Sequence, residues 1–475
     1  MSFDRLFSQH VNQQKTDITA LADYCQADPN VLRKWLRGKD KPKTPETVRK
    51  ICWYLALSPD ATRQMLNAYY RCLWGDDAYD EFLSICQFFT HFSPGSQTID
   101  TGRSFYTGTN SLLEGDVCTF DTPRDLLGAM ATLFTQSDTS PITLVFQPEQ
   151  EHLTNLVMAF EQMLKRPVKH FLCFDNLHTG DEKGARSMIA CLHQALTFHG
   201  HLKDYTVSYY YGNADALFSP FGLNQGLILT DTEALTFSTD LRRGICYRTP
   251  ETVALFRAYA DHLDTLSRPV FVEIQNFEEQ CRTFSTRKGD TSVLSAEPYL
   301  LPLLSGDLIE DSLPDDFPDR LQVKDNLFDF LTFVQQSESS NNITSYFTRK
   351  GLISFTETGL FTEVPRHMFP SLSPRRRVEL LKRFRQRVIQ GRAFLLDDML
   401  DPLSPTLHLG ITDSTLSLLV RTPEDRMITA VLDEPGIVNR FSRFFSHLKD
   451  YGLVESRQHA LDAINACIDD LIYNY

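Results

Sequence analysis

The chain has 475 residues, 42% of them apolar, which allows two to four domains and excludes a globally disordered protein. Its net charge of −14 is unevenly spread. Residues 1–74 hold 12 Lys/Arg against 7 Asp/Glu, net +5, while the other 401 residues hold 35 against 54, net −19. A basic front can meet phosphate, whereas the acidic remainder is repelled by it. Ten cysteines lie scattered from Cys25 to Cys467 without a CxxC pair, which fits neither a zinc site nor a disulfide scaffold. No metal site or cofactor is expected. No run of 18 apolar residues occurs, so a cytoplasmic chain without a membrane span is the default expectation.

The first 74 residues read as a helical domain. Phe3, Leu6 and Phe7 give one apolar helix face, and Ile18, Leu21, Ala22 and Cys25 give a second. Asp28 and Pro29 open a third helix as cap and first-turn proline. Leu32, Trp35 and Leu36 are expected inside, leaving Asn30, Arg33, Lys34 and Arg37 outside. Gly38 ends that helix and "KDKPK" forms a basic connector. Thr44-Pro45 and Ser58-Pro59 open two more helices. Their expected inward residues are Val48, Ile51, Cys52 and Leu55, then Ala61, Met65, Leu66 and Tyr69.

Residues 17–56 resemble the Cro/repressor (Xre-like) helix-turn-helix family. Leu21-Ala22 match the family's inward pair, Val31 and Leu32 its recognition-helix pair, and Trp35 with Arg37-Gly38 its usual ending. Pro42 and "TPETVRKI" match the following connector and helix. The resemblance implies that Asn30, Arg33 and Lys34 face the groove. Arg37, Lys39, Lys41 and Lys43 are expected nearer phosphate. The chain departs from the family at the turn, where Gln26-Ala27 replaces a frequent glycine, so an altered turn is expected.

Residues 75–140 read as a helical connector. From 141 the pattern becomes α/β: strand "ITLVF", helix "EHLTNLVMAFEQMLKR", strand "VKHFLCF", helix "EKGARSMIACLHQALTF", strand "YTVSYYY". Two later blocks, from Leu227 and from Leu409, share strand spacing and an apolar helix face. Thr230-Asp231 align with Thr412-Asp413, and Pro250 with Pro435. The expected body is therefore α/β with two duplicated halves, 141–301 and 325–475, joined by an acidic linker at 302–324.

A duplicated α/β body has a faint likeness to phospholipase D-like folds, which use an HxK motif followed by Asp in each half. His201 and Lys203 have the HxK spacing, but Ser208 stands where Asp is required, and the second half lacks the motif. No catalytic residues are expected. His193, His199, His262 and His447 read as packing or surface residues, and Asp231 and Asp413 as turn formers. "SYYYGNADALFSPFG" is a candidate lining for an effector cleft. The reading is a DNA-binding transcriptional regulator, expected to bind double-stranded DNA as a homodimer, with a small molecule or peptide as possible effector. A degenerate phosphodiesterase and a protein-interaction scaffold are the alternatives.

Overall fold

The computed structural model describes residues 2–91, 115–135, 140–147, 157–158, 166–175, 182–202, 204–212, 226–238, 240–274, 289–308, 313, 320–321, 324–325, 328–329, 331–332, 343–364, 369–397, 400, 403–421, 427–449 and 452–474. Helices come first, and a mixed α/β body with two sheets follows. The chain forms two compact units, one of Met1–Cys86 with Ser446–Val454, the other of Gln87–Phe445 with Glu455–Tyr475.

The first unit holds α1 (Phe3–Gln13), α2 (Ile18–Cys25), α3 (Pro29–Leu36), α4 (Pro45–Tyr54) and α5 (Pro59–Trp74). Local chemistry sets where they begin. Asp17 accepts from the Thr19 N–H at 2.9 Å, Asp28 from Asn30 at 2.7 Å, and Ser58 from Ala61 at 3.2 Å. Caps of this kind contribute about 1 kcal/mol each. Leu21, Leu32, Val48, Ile51, Leu55, Met65 and Tyr69 are buried between the helices, with Phe3 and Phe7 beside them. Ala61 and Leu36, expected inside, are only half-buried. A further helix, α6 (Asp76–His91), follows.

The body contains β1 (Val117–Phe120), α7 (Pro123–Thr135), β2 (Ile142–Val145), β3 (Val168–Asp175), α8 (Glu182–His201), β4 (Tyr205–Gly212), β5 (Gly226–Leu229), β6 (Ala234–Phe237), β7 (Gly244–Tyr247), α9 (Pro250–Leu266) and β8 (Arg268–Pro269). It continues with β9 (Val272–Ile274), β10 (Thr291–Ser295), β11 (Ile343–Phe347), α10 (Arg349–Thr358), α11 (Pro374–Ile389), β12 (Ala393–Leu395), β13 (Leu407–Ile411), β14 (Leu416–Arg421), β15 (Met427–Leu432), α12 (Pro435–His447) and α13 (Arg457–Asn474).

The first sheet runs β1-β7-β6-β5-β2-β3-β4-β8. Read from its β9 edge, the second runs β9-β15-β14-β13-β10-β11-β12. Seven strands thus recur in one order. β2, β3 and β4 are mutually parallel, as are β10, β11 and β12. In each sheet the meander is antiparallel and joins the parallel set through its first strand. Strands buried on both faces, such as β5, β6 and β14, are mostly apolar with little alternation, broken by Thr236, Ser417 and Arg421.

The repeat extends to turn geometry. The Thr230 N–H donates to the Glu233 carbonyl at 2.8 Å, and Thr412 to Thr415 at 2.9 Å. The Thr230 hydroxyl oxygen accepts from the amides of Thr232 and Glu233 at 3.4 and 3.0 Å. In the second turn the Thr412 hydroxyl oxygen accepts from Ser414 and Thr415 at 3.4 and 3.1 Å. Asp231 and Asp413 sit inside these turns.

Three sequence expectations change. β1 belongs to the first sheet although it falls in the stretch read as connector, because its four residues carry too little pattern to announce a strand. The second sheet takes β9 and β10 from ahead of residue 325, so its half starts well before the expected boundary. Leu304, Leu308 and Leu313 lie in or beside the stretch read as an acidic linker, yet they are buried in the second core. Their acidic neighbours hid them.

Candidate nucleic-acid interface

α2, its turn and α3 carry the candidate interface. At 3.6 residues per turn, Asn30, Arg33, Lys34 and Arg37 fall on one side of α3, and all four are exposed. Leu32 and Trp35 point the other way and are buried. Arg33 donates from Nη1 to Asn30 Oδ1 at 3.1 Å, so these two side chains present a linked polar pair. Asp28 and Pro29 fix the start of the helix, and the Gly38 and Lys39 amides close its end on Trp35 and Lys34 carbonyls at 3.1 and 2.9 Å.

The turn holds a left-handed residue, and it is Gln26 rather than Ala27. Gln26 takes the left-handed conformation at φ 55°, ψ 41°, and the Ala27 amide bonds to the Ala22 carbonyl at 2.9 Å. Gly38 has φ +67°, and a Cβ there would stand 3.2 Å from Asp4 of α1, so this position suits glycine for two reasons.

Lys39 and Lys43 are exposed beside α3. Lys41 is not equivalent to them: its Nζ donates to the Cys72 carbonyl at 2.9 Å, at the C-terminal turn of α5. That bond is favoured by the helix dipole and holds the ammonium against the bundle. Among the described residues no ion pair neutralises Arg33, Lys34, Arg37, Lys39 or Lys43.

The other candidates named from the sequence do not converge on one site. His201 ends helix α8, Lys203 lies outside the described residues, and Ser208 is within β4. Of the proposed effector lining, only residues up to Gly212 are described. Among the described residues no group of His, Cys, Asp and Glu is placed to hold a metal ion, and no helix is long and apolar enough to cross a membrane.

Sequence reasoning missed two features of the body. Helix α11 is rich in arginine, yet its two buried arginines bind carbonyls: Arg377 donates to Leu372, Thr356 and Glu357 at 2.7, 2.9 and 2.8 Å, and Arg387 to Ile343 at 3.1 Å, while Arg376 and Arg383 pair with Glu379. A polar cluster around Glu297 and His408 was also missed. Its visible signal is a single charged residue inside an apolar run, as in "SAEPYLLPLL" and "LHLGI".

No family model matches the chain, and no curated protein matches it. Among solved structures it is similar to a phosphatidylserine synthase of Haemophilus influenzae Rd KW20. The identity is 9%, covering 75% of this chain and 93% of that one, with a TM-score of 0.23. A likeness at that level carries no assignment of fold or function.

Proposed function

We propose that the front helical unit is a helix-turn-helix domain that docks α3 in the major groove of duplex DNA, within a transcriptional regulator. The observation that carries this reading is the exposed Asn30–Arg33–Lys34–Arg37 face, opposite a buried Leu32–Trp35 face, in a segment of net +5 within a chain of −14. The groove admits one helix, and Arg, Lys and Asn are the side chains that reach base edges and phosphates. Arg33 and Lys34 are assigned to bases, and Arg37, Lys39 and Lys43 to phosphate. A single small domain buries limited surface, so two copies on paired half-sites are proposed. The body is then the dimerising or sensing region, and no catalytic role is proposed for it.

Selection of bound fragments from a random duplex pool tests the reading. A symmetric motif is the expected result. Arg33→Ala with Lys34→Ala should weaken binding by at least tenfold and flatten the dependence on salt. Capture no better than for a charge-neutralised variant would leave the bundle as a protein-interaction scaffold.

A second reading treats the body as a degenerate phospholipase D-like pair of duplicated halves. The recurring seven-strand order and the matched threonine turns favour duplication. Against chemistry, the position that would supply lysine two residues after His408 is Gly410.

A further inference from the structure

Four polar side chains meet in the second half of the body. Glu297 lies two residues beyond β10, His408 is on β13, and Thr362 and Glu363 lie in the turn after α10. β10 and β13 are neighbours, with Ser295 opposite His408, so both functional side chains stand at the same end of the sheet. That end is where the parallel strands β10 and β11 finish, the usual side for chemistry in α/β sheets. Glu297, Glu363 and His408 are 6%, 7% and 7% exposed.

Their contacts form a chain. Glu297 Oε2 accepts from the Thr362 amide at 3.2 Å and from the Thr362 hydroxyl at 3.0 Å. The same hydroxyl lies 2.5 Å from His408 Nε2. On the other side of the ring, Nδ1 lies 3.4 Å from Glu363 Oε1. Neither oxygen of Glu363 has a hydrogen-bond donor among the described residues. Arg421 flanks the turn, donating from Nη2 to the Phe361 carbonyl at 2.8 Å and to the Val364 carbonyl. It pins the two ends of the turn and leaves Thr362 and Glu363 at its tip.

We propose that Glu297, Thr362, His408 and Glu363 form a buried proton relay that latches the 361–364 turn to the sheet and releases it as pH rises past neutrality. Proton placement gives the reason. With His408 protonated on both nitrogens, Nε2–H donates to the Thr362 oxygen, the Thr362 hydroxyl donates to Glu297, and the ring charge faces Glu363. Moving the Nε2 proton to Thr362 while the Thr362 proton passes to Glu297 Oε2 leaves a neutral ring and a neutral carboxyl. The two forms hold the same number of protons and a net charge of −1. Removing that one shared proton leaves two buried carboxylates facing a neutral ring. Either Nδ1 turns a lone pair to Glu363, or Nε2 turns one to Thr362. Buried charge without a partner is strongly unfavourable, and opening the turn would let water reach the carboxylates.

The charges acting on Glu297 support the pH window. Burial pushes its carboxyl up to about 7, Glu363 adds to that, and His408 and the Thr362 hydrogen bonds oppose it. Arg421 is a further charge beside the turn, with its Nη2 on the Phe361 and Val364 carbonyls.

Hydrogen exchange of the full chain, corrected for intrinsic rates and followed from pH 5.5 to 9, tests the latch. Protection at residues 360–364 should fall at least tenfold between pH 6 and 8.5, with β14 unchanged. Glu297→Gln removes the carboxylate whose raised value sets the window, so the step should shrink to less than half or vanish. Glu363→Gln removes a charge that raises Glu297, so the step should move to lower pH, and this variant serves if the first does not fold. His408→Gln removes a charge that holds Glu297 down, so any remaining step should move to higher pH. A flat wild-type profile, or an unchanged step in the two glutamate variants, overturns the proposal.

Discussion

His170 offers a test of burial as a determinant of stability. It lies on β3 with no exposed surface. Nε2 is 3.2 Å from the Phe146 carbonyl and Nδ1 is 2.8 Å from the Tyr205 hydroxyl. A carbonyl can only accept, so the neutral ring carries its proton on Nε2, and Tyr205 donates to Nδ1. Phe146 stacks on the ring at 4.4 Å and Phe198 lies 6.0 Å away. Desolvation drives the imidazole down to about 3, against an ordinary value of 6.5, with the Phe146 hydrogen bond opposing it. Below 6.5 the unfolded chain takes up a proton that the folded chain refuses. Stability is therefore untouched above 6.5 and lost as pH falls from 6.5 toward 3, by about 1.4 kcal/mol per unit. From pH 6.5 to 4.5 the loss is about 2.5 kcal/mol. Glu297 acts in the opposite sense over much of this range, because its raised value makes folding take up a proton between 4.5 and 7. The wild-type profile alone is thus partly flattened, and a difference measurement is needed. His170→Gln keeps one donor and one acceptor but does not titrate. Urea unfolding followed by far-UV circular dichroism, at pH 6.5 and 4.5, gives each difference. The variant should gain about 2.5 kcal/mol relative to wild type over that interval, roughly 0.8 M in midpoint for a slope of about 3 kcal/mol/M. An equal difference at both pH values would refute the buried neutral imidazole.

The remaining predictions concern backbone geometry. Gln26→Gly relieves a left-handed residue at the end of α2 and should stabilise the front unit by about 1 kcal/mol. Trp35, Trp53 and Trp74 all lie in that unit and are the three tryptophans of the chain, so tryptophan fluorescence follows it alone. A lowered midpoint would count against the turn as described. Gly38→Ala should cost about 1–2 kcal/mol by the same readout, since it adds a Cβ at φ +67° close to Asp4. Gly351→Ala places a Cβ 1.9 Å from the Ala296 carbonyl oxygen and should destabilise the body by more than about 3 kcal/mol, seen as lost circular-dichroism amplitude or insoluble expression. Normal stability in that variant would mean that α10 does not pack directly on the end of β10.

The starts of α3, α4 and α5 were legible because capping is local: Asp28 needs only Asn30, Thr44 only Thr47, and Ser58 only Ala61. The alignment of Thr230 with Thr412 was legible for the same reason, since each turn closes within four residues. Sheet membership was not legible. β1 meets β7 across more than a hundred residues of chain, and nothing in "VCTF" names its partner. The leucines from 304 to 313 were masked by acidic neighbours, and their burial depends on helices contributed from far along the chain.

Sequence alone therefore determined the helix starts, the apolar faces, the charge split and the repeated turns, all consequences of contacts within a few residues or of counting. The tertiary structure decided which strands share a sheet and that the buried Arg377 and Arg387 of α11 serve carbonyls. It also brought Glu297, Thr362 and His408 together across separations of 65 and 46 residues. Such meetings are set by the packing of the whole core, where the favourable term is non-directional burial, and no local pattern encodes which distant partner each polar group will meet.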